Sequence, residues 1–444
     1  MTSSPAFARN LSSRVGPNAV LAAEGASVDR VAARAVVRPA DRQQLSEVIR
    51  WATADGVRLY PRGGGVLSSL GNLPAQVDVI LDLSGLNRIM DYQPADLTVT
   101  TEAGITLAAL RRELVQGDKY VPLEAPRPDR ATVGGILATG FSGPLRFSYG
   151  LPRDWTIGIS VAGSDGSEAR AGGRVVKNVT GYDLNKLYTG SLGTLGVIVE
   201  ASFKLAPIQG TWAALAAPFP SISGAVAAAG ALISQVYAPQ GLQVVSRNIA
   251  ARLGLDVPGD SGAVALAFIS GRPRAASRRL EESARQLEAG GSPGGETLDE
   301  SAATDLLARL TDLPWREEDL PFLALKVTLP PSNVGSLVAA MELPAGAGLI
   351  ADPGFGTVHL LWWPPAEVGE PETDATLDLI DSARRNARNL GGAVAVEVCP
   401  PRIKAGADVW EGSVGEAELE IMRRIKRNFD PAGIFNPGRF VGRL

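Results

Sequence analysis

The sequence predicts an α+β chain of more than one domain, and three observations carry that reading. Short apolar runs of strand length alternate with amphipathic stretches of helical period along the whole chain. Glycine-rich segments crowd the first half, whereas the middle repeats strand and helix units with few special motifs. A chain of 444 residues with an apolar share of 45% can bury a sizeable core, but not as a single layer.

Taken in order, Asp41 precedes RQQLSEVIRWATADG, where Leu45, Val48, Ile49 and Ala52 share one helical face and Gly56 supplies the stop. VRLYPRG reads as a strand that runs into the stretch PRGGGVLSSLG. VDVILDLS and LTVTTEAG follow as strands, and ITLAALRRELVQ as a helix with Leu107, Leu110 and Leu114 as its buried stripe. WTIGISVAGSDG and GVIVEASFKLAP read as two more strands, separated by the segment Gly172 to Gly196.

From about Pro207 the pattern changes. GAVALAFISG, FLALKVTLP, TVHLLWW and GGAVAVEVCP read as strands, and PRAASRRLEESARQLEAG, SNVGSLVAAM and ATLDLIDSARRNARNL as helices. Units of that length suggest split βαβ layers, a ferredoxin-like sheet covered on one face. GAVAAAGALISQV, Gly224 to Val236, falls short of the roughly 20 apolar residues of a membrane span and reads as a buried amphipathic helix. EAGGSPGGE, Glu288 to Glu296, reads as a surface loop, and the tail as the helix ELEIMRRIKRNF followed by DPAGIFNPGR.

Charge and cysteine usage exclude several classes. The balance of 43 basic against 47 acidic side chains, with no block of one sign, speaks against nucleic acid as a partner. Cys399 is the only cysteine, so the chain forms no internal disulfide and supplies neither the thiolates of an iron–sulfur cluster nor those of a structural zinc site. A reducing compartment fits. The N-terminal stretch lacks the apolar centre of a secretory signal, and no transmembrane segment is expected.

Three glycines after a strand read either as a surface turn or as a cradle in which backbone N–H groups approach a phosphate. PRGGG is followed by no Lys-Ser/Thr pair and lacks the GxGxxG spacing, so it matches neither standard nucleotide motif. GAGLIA, Gly346 to Ala351, comes near that spacing but lies between a helix and a strand in the wrong order for a Rossmann turn. Two further glycine-rich stretches share the first half, ATVGGILATGFSG and TGSLGTLGVI, each mixing Gly with hydroxyl side chains.

Together with NFDPAGIFNPGR, these segments resemble the vanillyl-alcohol-oxidase, or PCMH-type, FAD-binding proteins. GGRVVKNVTGYDLNKLYTGSLGTLGVI, taken with PRGGG and ATVGGILATGFSGPLRFSYG, is similar to the branch formed by the smaller FAD-binding subunits of glycolate oxidase. The resemblance covers about the first 208 residues and the last 15, with motif order and spacing in place. It implies a two-lobed FAD-binding domain over residues 1–208, an α+β cap over 209–400, and a segment 401–444 that returns to the FAD domain. FAD is then expected between the lobes, with Pro61, Arg62, Gly63, Gly64, Gly65, Val66, Leu67 and Ser68 as the pyrophosphate loop. The resemblance further puts Thr132, Val133, Gly134, Gly135, Ala138, Thr139, Gly140 and Ser142 along the diphosphate and ring, Gly196, Val197 and Ile198 near the adenine or ring edge, and Asn436 near the flavin.

The sequence departs from a complete enzyme of this kind in two places. Relatives that bind flavin covalently carry a histidine just after the glycines; here Val66 follows Gly65, and a non-covalent FAD is expected. The 2-hydroxy-acid dehydrogenases carry paired histidines around a Gly-Asp-Gly-Asn core, and this chain has one histidine, His359, in the apolar run TVHLLWWPP. A packed or hydrogen-bonded imidazole is the first reading of His359 and a catalytic one the second. No metal site is expected, and no catalytic residue is assigned.

Lys177, Tyr182 and Asp183 position a loop or transfer a proton; Arg127, Arg130 and Arg146 meet phosphate, a partner's acidic patch, or solvent. Arg272, Arg274, Arg278 and Arg279 pair with Glu281 and Glu282 on a solvated helix face. Trp362 and Trp363 read as strand residues facing opposite ways. The expectation is thus an FAD-binding subunit of a glycolate-oxidase-like complex in the cytoplasm, held at the inner membrane face, if at all, through the complex. Oxidation of a small 2-hydroxy acid, glycolate or D-lactate, falls mainly to a larger FAD-containing partner, with an iron–sulfur subunit to carry electrons onward. The alternative is a self-sufficient FAD-dependent 2-hydroxy-acid dehydrogenase.

Overall fold

A computed structural model describes residues 5–173, 182–208, 210–367 and 371–444. The chain forms two compact units, one of residues 1–142, 151–208 and 414–444, the other of residues 143–150 and 209–413. Residues 401–413 thus cluster with the second unit. There the helix Pro401–Gly406 buries Ile403, and Val409 and Trp410 join the same apolar cluster as the strands of that unit.

Among the described residues the first unit holds two five-stranded sheets and a two-stranded pairing of Lys119–Tyr120 with Ala206–Pro207. In the first sheet, β1 (Val31–Val37), β2 (Leu59–Arg62) and β3 (Val77–Asp82) run parallel with β3 in the middle. Every residue of β3 is buried, as expected for a parallel strand covered on both faces. Its two carboxylates are paired, Asp78 with Arg34 at 3.0 Å and Asp82 with Arg38 at 2.8 Å. Helix α1 (Arg42–Asp55) starts at Asp41, whose Oδ1 accepts from the Gln44 N–H, and stops at Gly56 with φ 66°. It buries the stripe expected from its spacing, Leu45, Val48, Ile49 and Ala52, together with Trp51.

The second sheet is antiparallel and five-stranded. Its strands are β4 (Ile89–Gln93), β5 (Thr98–Glu102), β6 (Thr156–Ala162), β7 (Glu168–Gly172) and β8 (Val197–Lys204), in the order β7-β6-β8-β5-β4. Helix α2 (Leu107–Val115) buries Leu107, Leu110 and Leu114 beside this sheet. ATVGGILATG, which reads as a loop from its glycines, contains instead the helix α3 (Val133–Thr139), capped at its start by the Thr132 hydroxyl and at its end by Gly140. One face buries Val133, Ile136 and Leu137 against Ile198 and Ala201 of β8. The other face holds only small side chains.

The second unit is built on one eight-stranded sheet. Its strands are β9 (Thr211–Phe219), β10 (Gly241–Ser246), β11 (Ala263–Gly271), β12 (Glu296–Leu298), β13 (Leu323–Thr328), β14 (Ala347–Asp352), β15 (Thr357–Trp362) and β16 (Ala393–Val398), in the order β12-β9-β11-β10-β14-β15-β13-β16. Helices Ile222–Ile233, Pro273–Ala289, Val334–Ala340 and Thr373–Asn389 cover one face, where Leu325, Val327, Val358, Leu360 and Val394 form the core. Alternation therefore puts Gln243, Lys326, Asp352, His359 and Glu397 on the opposite face. The fold is mixed α+β, and among the described residues no helix is long and apolar enough to cross a membrane.

Candidate functional site

The first unit contains a cleft of about 770 Å³ at the end of β2. Pro61 to Ser68 line it from one side, and Thr132, Gly135, Ala138 and Thr139 of the α3 segment from the other. Asn436 completes it from the C-terminal tail. A second cavity of about 390 Å³ shares Pro61, Arg62, Gly63, Thr132, Gly135 and Ala138 with the cleft and adds Gly134, Gly196 and Ile198. Four stretches distant in sequence thus meet around one elongated space.

The loop that enters this space is shaped by close approach. A Cβ on Gly64 would lie 1.8 Å from the Arg130 carbonyl oxygen, and one on Gly63 would lie 1.9 Å from Thr132 Oγ1. The glycines therefore let the loop rest directly on the segment that caps α3. Arg130 locks the contact by donating from its guanidinium to the Gly64 carbonyl at 3.1 Å. At Gly65 φ is 74°, a conformation that side-chain-bearing residues avoid, and the chain turns there. Beyond the turn, Ser68 donates its N–H to the Gly65 carbonyl and Leu70 to that of Leu67.

Among the described residues, the N–H groups of Gly63, Gly64, Gly65, Val66 and Leu67 find no protein acceptor. A run of unpaired amides beside a cleft has the form of an anion-binding concavity. Across from it, Gly135 presents almost bare backbone, since a Cβ there would meet only Thr132 Oγ1, at 3.2 Å. Such a cradle fits a diphosphate flanked by two planar groups, as in FAD, and needs no lysine cluster.

Of the other residues expected at the site, Val133 and Val197 are fully buried in the core beneath it. Neither lines the two cavities, although their neighbours Gly134, Gly196 and Ile198 do. Gly140 ends α3 with φ 64°. The Ser142 hydroxyl is buried without a hydrogen-bond partner among the described residues. Neither belongs to the lining of the two cavities, because the chain turns away after α3. Val28, Tyr60, Leu192 and Arg439 line the cleft although no motif singled them out. A signal in the sequence exists for Leu192, inside TGSLGTLGVI, and for Arg439, the last residue of NPGR.

At the position where a flavin-linking histidine stands in some relatives, the partly buried Val66 packs against the core of the antiparallel sheet. The only histidine and the only cysteine, His359 and Cys399, belong to the second unit. Lys177 lies outside the described residues. Tyr182 is 93% exposed, and Asp183 pairs with Lys186 at 3.1 Å, so both read as surface. Arg146 stacks its guanidinium 3.8 Å from the Phe355 ring. On helix Pro273–Ala289 the expected pairing is replaced: Glu282 bonds Arg285, Arg279 donates to the Ser270 carbonyl, and Arg278 lies over Tyr237. Trp362 ends β15 and is buried, whereas Trp363 lies beyond the strand and carries Arg252 at 3.9 Å.

The single histidine has company. Lys326 and His359 are register partners on β13 and β15, and Glu397 of β16 reaches both. Glu397 lies 3.4 Å from His359 Nδ1 and 3.8 Å from Lys326 Nζ. Burial works to raise the Glu397 pKa, but Lys326 and His359 outweigh it and hold the carboxyl below its ordinary value. Burial, reinforced by the charge of Arg146, pushes Lys326 down. Nearby on the same face, burial pushes Asp352 up to about 6, although it accepts from Gly354 N–H, Phe355 N–H and Gln243.

Two family models match the chain: the FAD binding domain over residues 33–172, and the C-terminal domain of FAD linked oxidases over residues 405–440. The chain is 28% identical to glycolate oxidase subunit GlcE of Escherichia coli, over 90% of this chain and 98% of that one. It is 26% identical to glycolate oxidase subunit GlcD of Bacillus subtilis, over 92% of this chain and 89% of that one. The solved structure of p-cresol methylhydroxylase with substrate bound has the same fold, with a TM-score of 0.74 at 17% identity, covering 98% of this chain and 96% of that one. With the cradle described above, these matches show an FAD binding domain in a chain that is similar over most of its length to FAD-linked oxidoreductases, among them glycolate oxidase subunits, D-lactate dehydrogenase and D-2-hydroxyglutarate dehydrogenase.

Proposed function

We propose that the chain is the FAD-binding subunit of a glycolate-oxidase-like complex, with a non-covalent flavin. The oxidation of the 2-hydroxy acid, glycolate or D-lactate, to the 2-oxo acid is carried mainly by a larger FAD-containing partner. The observation behind this reading is an intact cradle in a chain with one histidine. In this assignment the amides from Gly63 to Leu67 take the diphosphate. Gly135, Ala138 and Thr139 flank the ring, Gly196 and Ile198 flank the adenine, and Asn436 closes the cleft.

Bound FAD supplies a two-electron acceptor. Val66 leaves that acceptor unlinked, and a lone cysteine leaves onward electron flow to an iron–sulfur partner. The complex is cytoplasmic in this reading and touches the membrane only through its other subunits. A self-sufficient dehydrogenase is the second reading, favoured by one observation: the His359–Glu397–Lys326 cluster offers a proton acceptor beside a cation on one sheet face.

Visible spectra of the purified chain, before and after anaerobic glycolate or D-lactate, separate the readings. Flavin that is reduced only when the partner subunits are added supports the first. Bleaching of the isolated chain by substrate sinks it in favour of the second, and a chain that takes up no FAD defeats both.

A further inference from the structure

Arg439, the arginine of NPGR, is 4% exposed and lies against the cofactor loop. Its Nη1 donates to the Asn72 carbonyl at 2.6 Å. Its Nη2 donates to the Ser68 carbonyl at 2.7 Å and to that of Leu70. Asp29 Oδ2 lies 3.6 Å from the guanidinium, and both side chains of the pair are buried. The tail that carries the arginine is tied down on either side. Leu59 N–H donates to Ile434, Asn436 N–H to Leu59, Asn72 N–H to Arg439, and Asn72 Nδ2 to Phe440.

We infer that Arg439 is a positioning residue for the cofactor loop, acting through the carbonyls of Ser68, Leu70 and Asn72 and not as a charge offered to the diphosphate. The inference rests on the FAD-binding reading above. One guanidinium gathers the carbonyls of alternate residues in the second half of the loop. The amide dipoles of that half are thereby fixed with their negative ends turned to Arg439. The first half, held by its glycines on Arg130 and Thr132, is left with amide N–H groups toward the cleft. Without the arginine, three carbonyls and the Asp29 carboxylate lose a buried donor, and the loop gains by turning those oxygens toward the space an anion must enter.

Asp29 argues against a direct charge role. A carboxylate at 3.6 Å, buried with the guanidinium, cancels most of the field the arginine sends into the cleft. Arginine suits the task because its rigid fork reaches separated acceptors with two nitrogens, whereas the single nitrogen of lysine reaches one locus.

Two variants of the full chain test this, with the FAD dissociation constant read from quenching of flavin fluorescence and backbone order from hydrogen exchange of the apo chain. Arg439→Lys keeps the charge and loses the fork; FAD binding should weaken by at least about tenfold, as for loss of charged hydrogen bonds, and amides of residues 68–72 should exchange faster. Asp29→Asn keeps the fork and removes the counter-charge, and Asn adopts the φ of 49° found at this position. Its affinity should fall by no more than about threefold, a loss below about 1 kcal/mol, and can rise as the guanidinium charge is unmasked.

A folded Arg439→Lys chain that loses less than tenfold, or whose loop exchanges as in the parent, overturns the inference. So does a folded Asp29→Asn chain whose affinity falls by more than about threefold although the fork is kept; that variant decides the matter if Arg439→Lys does not fold. A parent chain that binds no FAD at all overturns the underlying reading instead.

Discussion

At Gly64 the constraint comes from the neighbouring backbone and not from a ligand. The 1.8 Å approach to the Arg130 carbonyl means that any Cβ there pries the loop off the start of α3. Gly64→Val should lower stability by about 3 kcal/mol, the upper range for overpacking, and abolish FAD uptake. At Gly135 the added methyl points into the cleft and sits within a helix. Gly135→Ala should keep stability within about 1 kcal/mol of the parent yet weaken FAD binding. Urea titration with FAD titration distinguishes the two. In the second unit, Asp352 carries a raised pKa, so its protonated form is favoured in the folded chain. Its contribution to stability is complete below about pH 4 and is lost as pH rises through about 6, amounting to about 3 kcal/mol. Asp352→Asn should flatten that part of the pH–stability curve, measured by thermal unfolding between pH 4 and 7.5.

At the scale of elements, many helices and strands with an apolar face were legible, but β9, β10 and the helix Glu300–Asp312, which also bury apolar residues, were not. The stripes of α1 and α2 and the strands β11, β13, β15 and β16 follow the spacing of their buried residues. α3 escaped because glycine and alanine fill its exposed face, and only Thr132 marks its start. β14 escaped because its glycine-containing run AGLIAD mimics a nucleotide turn. The loop glycines stood out in the sequence and line the cleft, but their packing partners were not legible, since Arg130 and Arg439 reach backbone carbonyls that leave no pattern in sequence. The C-terminal helix Glu416–Phe429 is fastened by Lys426, whose Nζ donates to the Thr194 carbonyl at 2.7 Å, Asp430 at 2.6 Å and the Phe435 carbonyl at 2.9 Å. Lys426→Met should cost about 3 kcal/mol, because it leaves the fully buried Asp430 carboxylate without its cation. It should also weaken FAD binding through the tail, checked by urea unfolding and flavin fluorescence.

At the scale of the molecule, each unit has its own apolar core, and the cradle lies wholly in the first. FAD should therefore raise the unfolding temperature of the first unit in proportion to the logarithm of its concentration above the dissociation constant. Calorimetry with peptide-resolved hydrogen exchange checks this, since equal protection in residues 211–398 would show that the cofactor stabilises both units alike. The first unit is also discontinuous. The hydrogen bond from Arg439 to Asn72 spans 367 positions of chain. During synthesis the early strands must therefore wait, with their loop unsupported, until the stretch 430–440 leaves the ribosome. Cofactor loading then becomes a late event of biogenesis, and a ribosome stalled before that stretch would display a nascent chain unable to retain flavin.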